Sequence, residues 1–201
     1  MLNNTVTLEG QLETVKQAKE FLLGLTAENY QVVLKPHFAS SAGTHIRHIL
    51  DHYSALKDGL NQGLVNYNRR NRYSSIETCP KAALLEWKKI EQWLQEINQL
   101  DADMPLNIVC ETSVKETQNA QTKSTLAREL VFVSSHAIHH FSLLAVINSL
   151  LGNRDKGNLG IAPSTATYIF LLYTFVAAVY SLCFFYFFLL ISFLTQHYSP
   201  F

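Results

Sequence analysis

Apolar residues recur at three- and four-residue steps along most of the first 150 positions of this chain. Leu12, Val15, Ala18, Phe21 and Leu22 form one such stripe and predict a helix from about Leu8 to Leu25. Pro36 closes the segment that follows. Ser40 or Ser41 can cap a second helix, which carries Ile46, Ile49, Leu50, Tyr53 and Leu56 until Gly59 and Gly63 weaken it. Pro80 suits the first turn of a third helix. Leu84, Leu85, Trp87, Ile90, Trp93, Leu94 and Ile97 make that helix the clearest amphipathic stretch in the chain. A fourth helix is predicted from about Ser124 to Leu151, with Leu126, Leu130, Val133, Ala137, Leu144 and Ile147 apolar and Gly152 as a stop residue.

Two connections read differently. Residues 64–79 are polar and rich in arginine, which predicts a solvated loop, or a cover over one end of the helices. Residues 105–122 open with β-branched positions, Ile108 and Val109, before turning polar, so a loop or a small hairpin is expected there. Four helices with long connections predict an all-α fold, an up-down four-helix bundle over residues 1–160 whose interior can take side-chain ligands from facing helices.

The pattern changes abruptly near residue 157. Every Lys, Arg, Asp and Glu lies at or before Lys156, and residues 168–201 hold 13 of the 23 aromatics. Tyr168 to Leu194 is longer than the roughly 20 apolar residues that cross about 30 Å of hydrocarbon. By hydropathy the segment 161–201 is a hydrophobic tail with a transmembrane span at 168–194. Arg154 and Lys156 just before it favour a cytoplasmic N-terminal domain, with Thr195 to Phe201 on the far side. Two other readings stay open: a buried or partner-covered helix of the soluble fold, and a sequence foreign to the domain. The dense run Phe184, Phe185, Tyr186, Phe187, Phe188 keeps the last one in play.

Charge and cysteine content narrow the partners. The 201 residues carry 16 basic and 16 acidic side chains, so no net field steers a polyanion, and no nucleic-acid partner is expected. Cys79, Cys110 and Cys183 are odd in number and widely spaced, which predicts neither a disulfide framework nor a thiolate zinc site. The N-terminus lacks a basic segment followed by an apolar one, so no cleaved secretory signal is expected and the domain is assigned to the cytoplasm.

The candidate chemistry lies in histidine. Six of the eight histidines fall in two clusters about ninety residues apart, His45, His48 and His52 on the second predicted helix and His136, His139 and His140 on the fourth. Residues three, four and seven apart share a helical face, so His45, His48 and His52 project together, as do His136 and His140. Neutral imidazoles bind Zn²⁺, Fe²⁺ or Ni²⁺, and three of them leave a position open for water or substrate. His136 and His140 can converge on one ion from adjacent turns. The third ligand can be His45, His48 or His52, and Asp51 or Glu129 can orient a ligand from behind. His139 lies off the shared face. A buried network of hydrogen-bonded histidines is the competing explanation.

The stretch Ser41-Ala-Gly-Thr-His-Ile-Arg-His48-Ile-Leu-Asp-His-Tyr53, paired with His136-Ala-Ile-His-His140, resembles the DinB-like superfamily of four-helix metal-binding proteins. The resemblance covers roughly residues 8–160 and extends into the Gly-Ile-Ala-Pro-Ser-Thr stretch at 160–165. It implies a divalent ion at one end of the bundle, held by one histidine of the second helix and the two of the H-x-x-x-H. Mapped by position, these are His48, His136 and His140, with His45, His52 and His139 left as neighbours. It also implies a choice of activities: thiol S-transfer, maleylpyruvate-type isomerisation, or the iron chemistry of sulfoxide synthases. Phe141-Ser142-Leu143 follows His140 where a Gln or Glu is common, and these 201 residues hold no second large domain of the sulfoxide-synthase kind.

The expected function is therefore a divalent-metal-dependent enzyme, a thiol S-transferase or a hydrolase or isomerase, acting on a small molecule. Arg69, Arg70 or Arg72 would meet an anionic substrate. The alternative is a non-catalytic helical scaffold or homodimerising module, membrane-anchored by its tail.

Overall fold

Two of the long helices begin where the sequence supplies a partner for the free N–H groups of a first turn. The Thr44 N–H donates to Ser41 Oγ (3.3 Å) at the head of α3, Ala42–Leu60. The Arg128 N–H donates to Thr125 Oγ1 (3.3 Å) at the head of α5, Leu126–Leu150. Pro80, which has no N–H, opens α4, Pro80–Glu96. The remaining helices are α1, Leu8–Leu23, the short α2, Ala27–Gln31, and α6, Pro163–His197.

These elements come from a computed structural model that describes residues 8–153 and 159–197. Residues 1–7 of the N-terminal segment lie outside the described residues. So do Arg154 and Lys156, on which the expected membrane orientation rests, and residues 198–201 at the end of the tail. The chain divides into two units, Met1–Gly160 and Ile161–Phe201.

In the first unit α1 packs on α4, α4 on α3, α3 on α5, and α5 back on α1. The predicted stripes line this ring. Val15 and Ala18 of α1, Ile46, Ile49 and Leu56 of α3, Trp87 and Leu94 of α4, and Val133, Ala137, Phe141 and Leu144 of α5 are all buried. α5 ends as expected: Gly152 takes the left-handed conformation, φ +78°, that L side chains avoid.

The fold is mostly helical but not all-α. Leu64–Asn66 (β1), Pro105–Glu111 (β2) and Asn119–Thr125 (β3) form a three-stranded sheet in that order. β2 and β3 make an antiparallel hairpin from Pro105↔Thr125 to Glu111↔Asn119. β1 lies parallel to β2, with Val65 opposite Ile108. The physical reason is alternation: Leu106 and Ile108 point one way and are buried, while Asn107 between them is exposed. β3, Asn-Ala-Gln-Thr-Lys-Ser-Thr, has no apolar alternation, and its strand form is imposed by pairing with β2.

The arginine-rich loop is tied to α3 rather than freely solvated. Arg47 of α3 donates to Asp51 Oδ2 (2.9 Å) and to Glu77 Oε1 (2.7 Å), and the Asn71 N–H donates to Asp51 Oδ1 (3.1 Å).

In the second unit, α6 is a single uncharged helix, and its large apolar side chains from Tyr168 to Leu189 are exposed. Among the described residues two helices, α5 and α6, are long and apolar enough to cross a membrane. α5 carries Arg128, a buried Glu129 and three histidines, and its apolar face belongs to the core of the first unit. Pro163–Leu189 of α6 has no such buried face.

Candidate metal centre

α3 and α5 pack side by side and bring the two histidine clusters together. His48 and His136 meet through their Nε2 atoms at 3.1 Å. One ligand nitrogen from each of His48, His136 and His140 lies within 4.8 Å of the other two. These rings sit edge to face, with centroids 4.8 Å apart for His48 and His140 and 4.7 Å for His136 and His140. Of the three candidates on α3, the structure therefore brings His48 into mutual reach of His136 and His140.

The other histidines take distinct places. The His45 Nδ1 is 3.0 Å from His140 Nδ1, and its Nε2 is 3.2 Å from Ser40 Oγ. His52 is buried, and its Nδ1 donates to the His48 carbonyl (2.9 Å), one turn back along α3. Its ring lies 4.1 Å from that of His136 and stacks on Tyr67 at 5.4 Å. His139 is exposed on the rim.

Burial removes the charge from this cluster. Taking an imidazole out of water disfavours the protonated form, and each neighbouring histidine adds to the effect. His48 is pushed down to about 2, by burial first and then chiefly by His52 and His140. His140 is pushed down to about 3 by burial, His136 and His45. His136 falls to about 4 through burial and the neighbouring His52. His52 also falls to about 4, mainly through burial, although its bond to the His48 carbonyl opposes the shift. Burial lowers His45 as well. At neutral pH the site is a set of uncharged nitrogen donors, the form in which imidazole binds metal.

Neither carboxylate expected behind the ligands has a histidine among its hydrogen-bond partners in the described residues. Asp51 is held by Arg47 and the Asn71 N–H. Glu129 is fully buried and accepts from Tyr67 Oη (2.7 Å), Ser124 Oγ (2.6 Å) and Arg128 Nη1 (2.7 Å). Tyr67, which sequence reasoning passed over, links that carboxylate to the histidines by stacking on His52. Its signal was faint: one aromatic after a short apolar run in a polar loop. Ser40 was visible only as one of two alternative helix caps.

Arg70 is the one expected anion-binding residue that acts on the site. Its charge is among the causes that lower His48, His52 and His136, and its Nη1 donates to the Tyr67 carbonyl (2.5 Å). Arg69 and Arg72 are exposed.

No protein-family profile matches the chain. A stretch of 106 residues, 53% of the chain, is 31% identical to FK506-binding protein 5 of Rhizopus delemar. That stretch amounts to 28% of the Rhizopus protein, so the chain spans well under a third of the length of this curated relative.

Proposed function

We propose that residues 8–160 form a DinB-like four-helix metal-binding domain in which His48, His136 and His140 hold one divalent ion, zinc, nickel or iron. The domain is a metal-dependent enzyme of the S-transferase, hydrolase or isomerase kind. The observation that carries this reading is the 3.1 Å approach of two uncharged Nε2 atoms from different helices, with a third histidine nitrogen within 4.8 Å of both. Nitrogens bound at about 2.0–2.1 Å to a tetrahedral ion stand roughly 3.3 Å apart, close to the 3.1 Å between His48 and His136. A bound ion would supply Lewis acidity, lowering the pKa of a coordinated water or thiol.

The chain's own contribution is to hold three neutral donors on two packed helices and to leave at least one coordination position open. Arg70 beside the cluster suits a small anionic substrate. FK506 binding, the property in the Rhizopus protein's name, is not carried over, because the match makes up 28% of that protein. The exposed apolar helix α6 supports a membrane anchor, with the N-terminal domain in the cytoplasm. Homodimerisation belongs to the same proposal.

One observation favours a second reading, a non-catalytic helical scaffold. The histidines also satisfy one another, His48 with His136 and His45 with His140, as a packing network requires. Metal analysis of the full chain in detergent separates the two. About one equivalent of zinc, nickel or iron, largely lost in His136→Ala, supports the enzyme. No metal in a protein with a helical spectrum supports the scaffold.

A further inference from the structure

His45 stands outside the group of mutually close nitrogens, yet it is bonded at both ends of its ring. One end meets His140 Nδ1 at 3.0 Å, and the other meets Ser40 Oγ at 3.2 Å. The Ser40 side of this cradle comes from the run that leads into α3, and the His140 side from α5. Ser41 takes the capping role there, which leaves the Ser40 hydroxyl for the ring. Phe38 packs edge-on against the same ring at 6.4 Å.

The geometry points to His45 as the positioning residue of the metal centre, a neutral acceptor that fixes the ring and tautomer of His140. This rests on the reading of His48, His136 and His140 as ligands. With Nδ1 of His140 engaged by His45, Nε2 is the nitrogen left for the ion. A neutral imidazole that coordinates through Nε2 carries its proton on Nδ1, so His140 donates and His45 Nδ1 accepts. His45 then carries its own proton on Nε2 and donates to Ser40 Oγ. Each of the four ring nitrogens of His45 and His140 then has one role, and Ser40 Oγ accepts at the end of the chain. Histidine ligands commonly donate their second N–H to a carboxylate, a carbonyl or a water. Here a second histidine takes that place, and the carboxylates Asp51 and Glu129 serve the loop and Tyr67 instead.

The test uses the full chain in detergent, stripped and titrated with Co²⁺, reading the dissociation constant and the visible d–d bands. His45→Ala should weaken Co²⁺ binding about 10- to 100-fold, the usual effect of losing such a partner. His45→Gln, whose amide oxygen still accepts from His140 Nδ1, should recover most of the affinity with an unchanged spectrum. Ser40→Ala should show a smaller loss in the same direction. Affinity in His45→Ala within twofold of the parent, with the parent binding, overturns the role of His45 alone. A changed coordination spectrum with no recovery in His45→Gln makes His45 a ligand and also overturns it. If the parent chain itself binds no Co²⁺, Zn²⁺ or Ni²⁺, the metal-site reading falls and this inference with it.

Discussion

His48 and His136 face each other across the α3–α5 contact, Nε2 to Nε2, at 3.1 Å. Neither nitrogen is drawn into bonding its own backbone. That pairing places His48, rather than His45 or His52, in the set of mutually close nitrogens with His136 and His140, and it separates residues that should matter from one that should not. His48→Ala and His140→Ala are expected to lose most bound metal and any thermal stabilisation by added Zn²⁺, which reaches about 2.7 kcal/mol at a hundredfold excess over Kd. His139→Ala, at an exposed position, should bind like the parent. Equal losses in all three variants, measured by metal stoichiometry, would remove the special status of the triad.

The lowered histidines also set a pH dependence for the metal-free protein. In the unfolded chain they take up protons near pH 6.5, whereas in the folded chain His52 and His136 do so near 4 and His140 near 3. The unfolded state therefore binds more protons between these limits, and stability falls as pH drops from 6.5 towards 4. Denaturation of the stripped protein should show this loss above pH 5, before carboxylates contribute, with a shallower slope in His48→Ala. A parent curve flat over that interval contradicts the burial of the cluster.

Tyr67 is buried, with its hydroxyl on a fully buried carboxylate, Glu129. Tyr67→Phe keeps the ring stacked on His52 but takes one of three donors from that carboxylate. A hydrogen bond to a charged group is worth about 1.5–3 kcal/mol. Urea denaturation should show a loss of that size, and a change under about 0.5 kcal/mol would mean that Ser124 and Arg128 suffice.

Gly43 sits in the first turn of α3, against the Glu77 carbonyl and the Tyr30 ring. A Cβ there meets backbone that the Tyr30 hydroxyl helps hold in place by donating to the Ile76 carbonyl (2.7 Å). Gly43→Ala should cost at least about 2 kcal/mol despite the better helix propensity of alanine. An alanine variant as stable as the parent in thermal unfolding refutes that contact.

α6 offers a test independent of the histidines. Its uncharged stretch Pro163–Leu189 has 27 residues and would reach about 40 Å as a helix, more than a bilayer core of about 30 Å. The full chain should sediment with membranes and resist carbonate extraction. Val176→Arg, near the middle of that stretch, should reduce insertion by about 2.5–3.5 kcal/mol. Recovery of the unmodified chain in the soluble fraction without detergent would rule out the span.

The long helices were legible because each carries its own stripe and its own end signals: Ser41, Pro80 and Gly152 mark boundaries by local chemistry alone. The sheet was only half legible. Leu106, Ile108 and Val109 announce an extended segment, but β3 is polar apart from Ala120 and β1 is three residues long, so neither has a periodicity to read. Their strand form depends on hydrogen bonds to β2, which lies about forty residues from β1 in sequence.

The candidate site divides in the same way. Helical periodicity by itself determined that His45, His48 and His52 share a face and that His136 and His140 share another, because that follows from 3.6 residues per turn. It could not choose among the three on α3, since the phase and height at which two helices meet depend on how their buried stripes pack. Tertiary structure decided that His48 faces His136, that His45 backs His140 and reaches Ser40, and that Asp51 and Glu129 are taken by Arg47 and Tyr67. The His48–His136, His45–His140 and Tyr67–Glu129 contacts join residues whose distance in space is set by packing, which no local pattern encodes; Arg47–Asp51, four apart on α3, and Ser40–His45 are the local pairs among them.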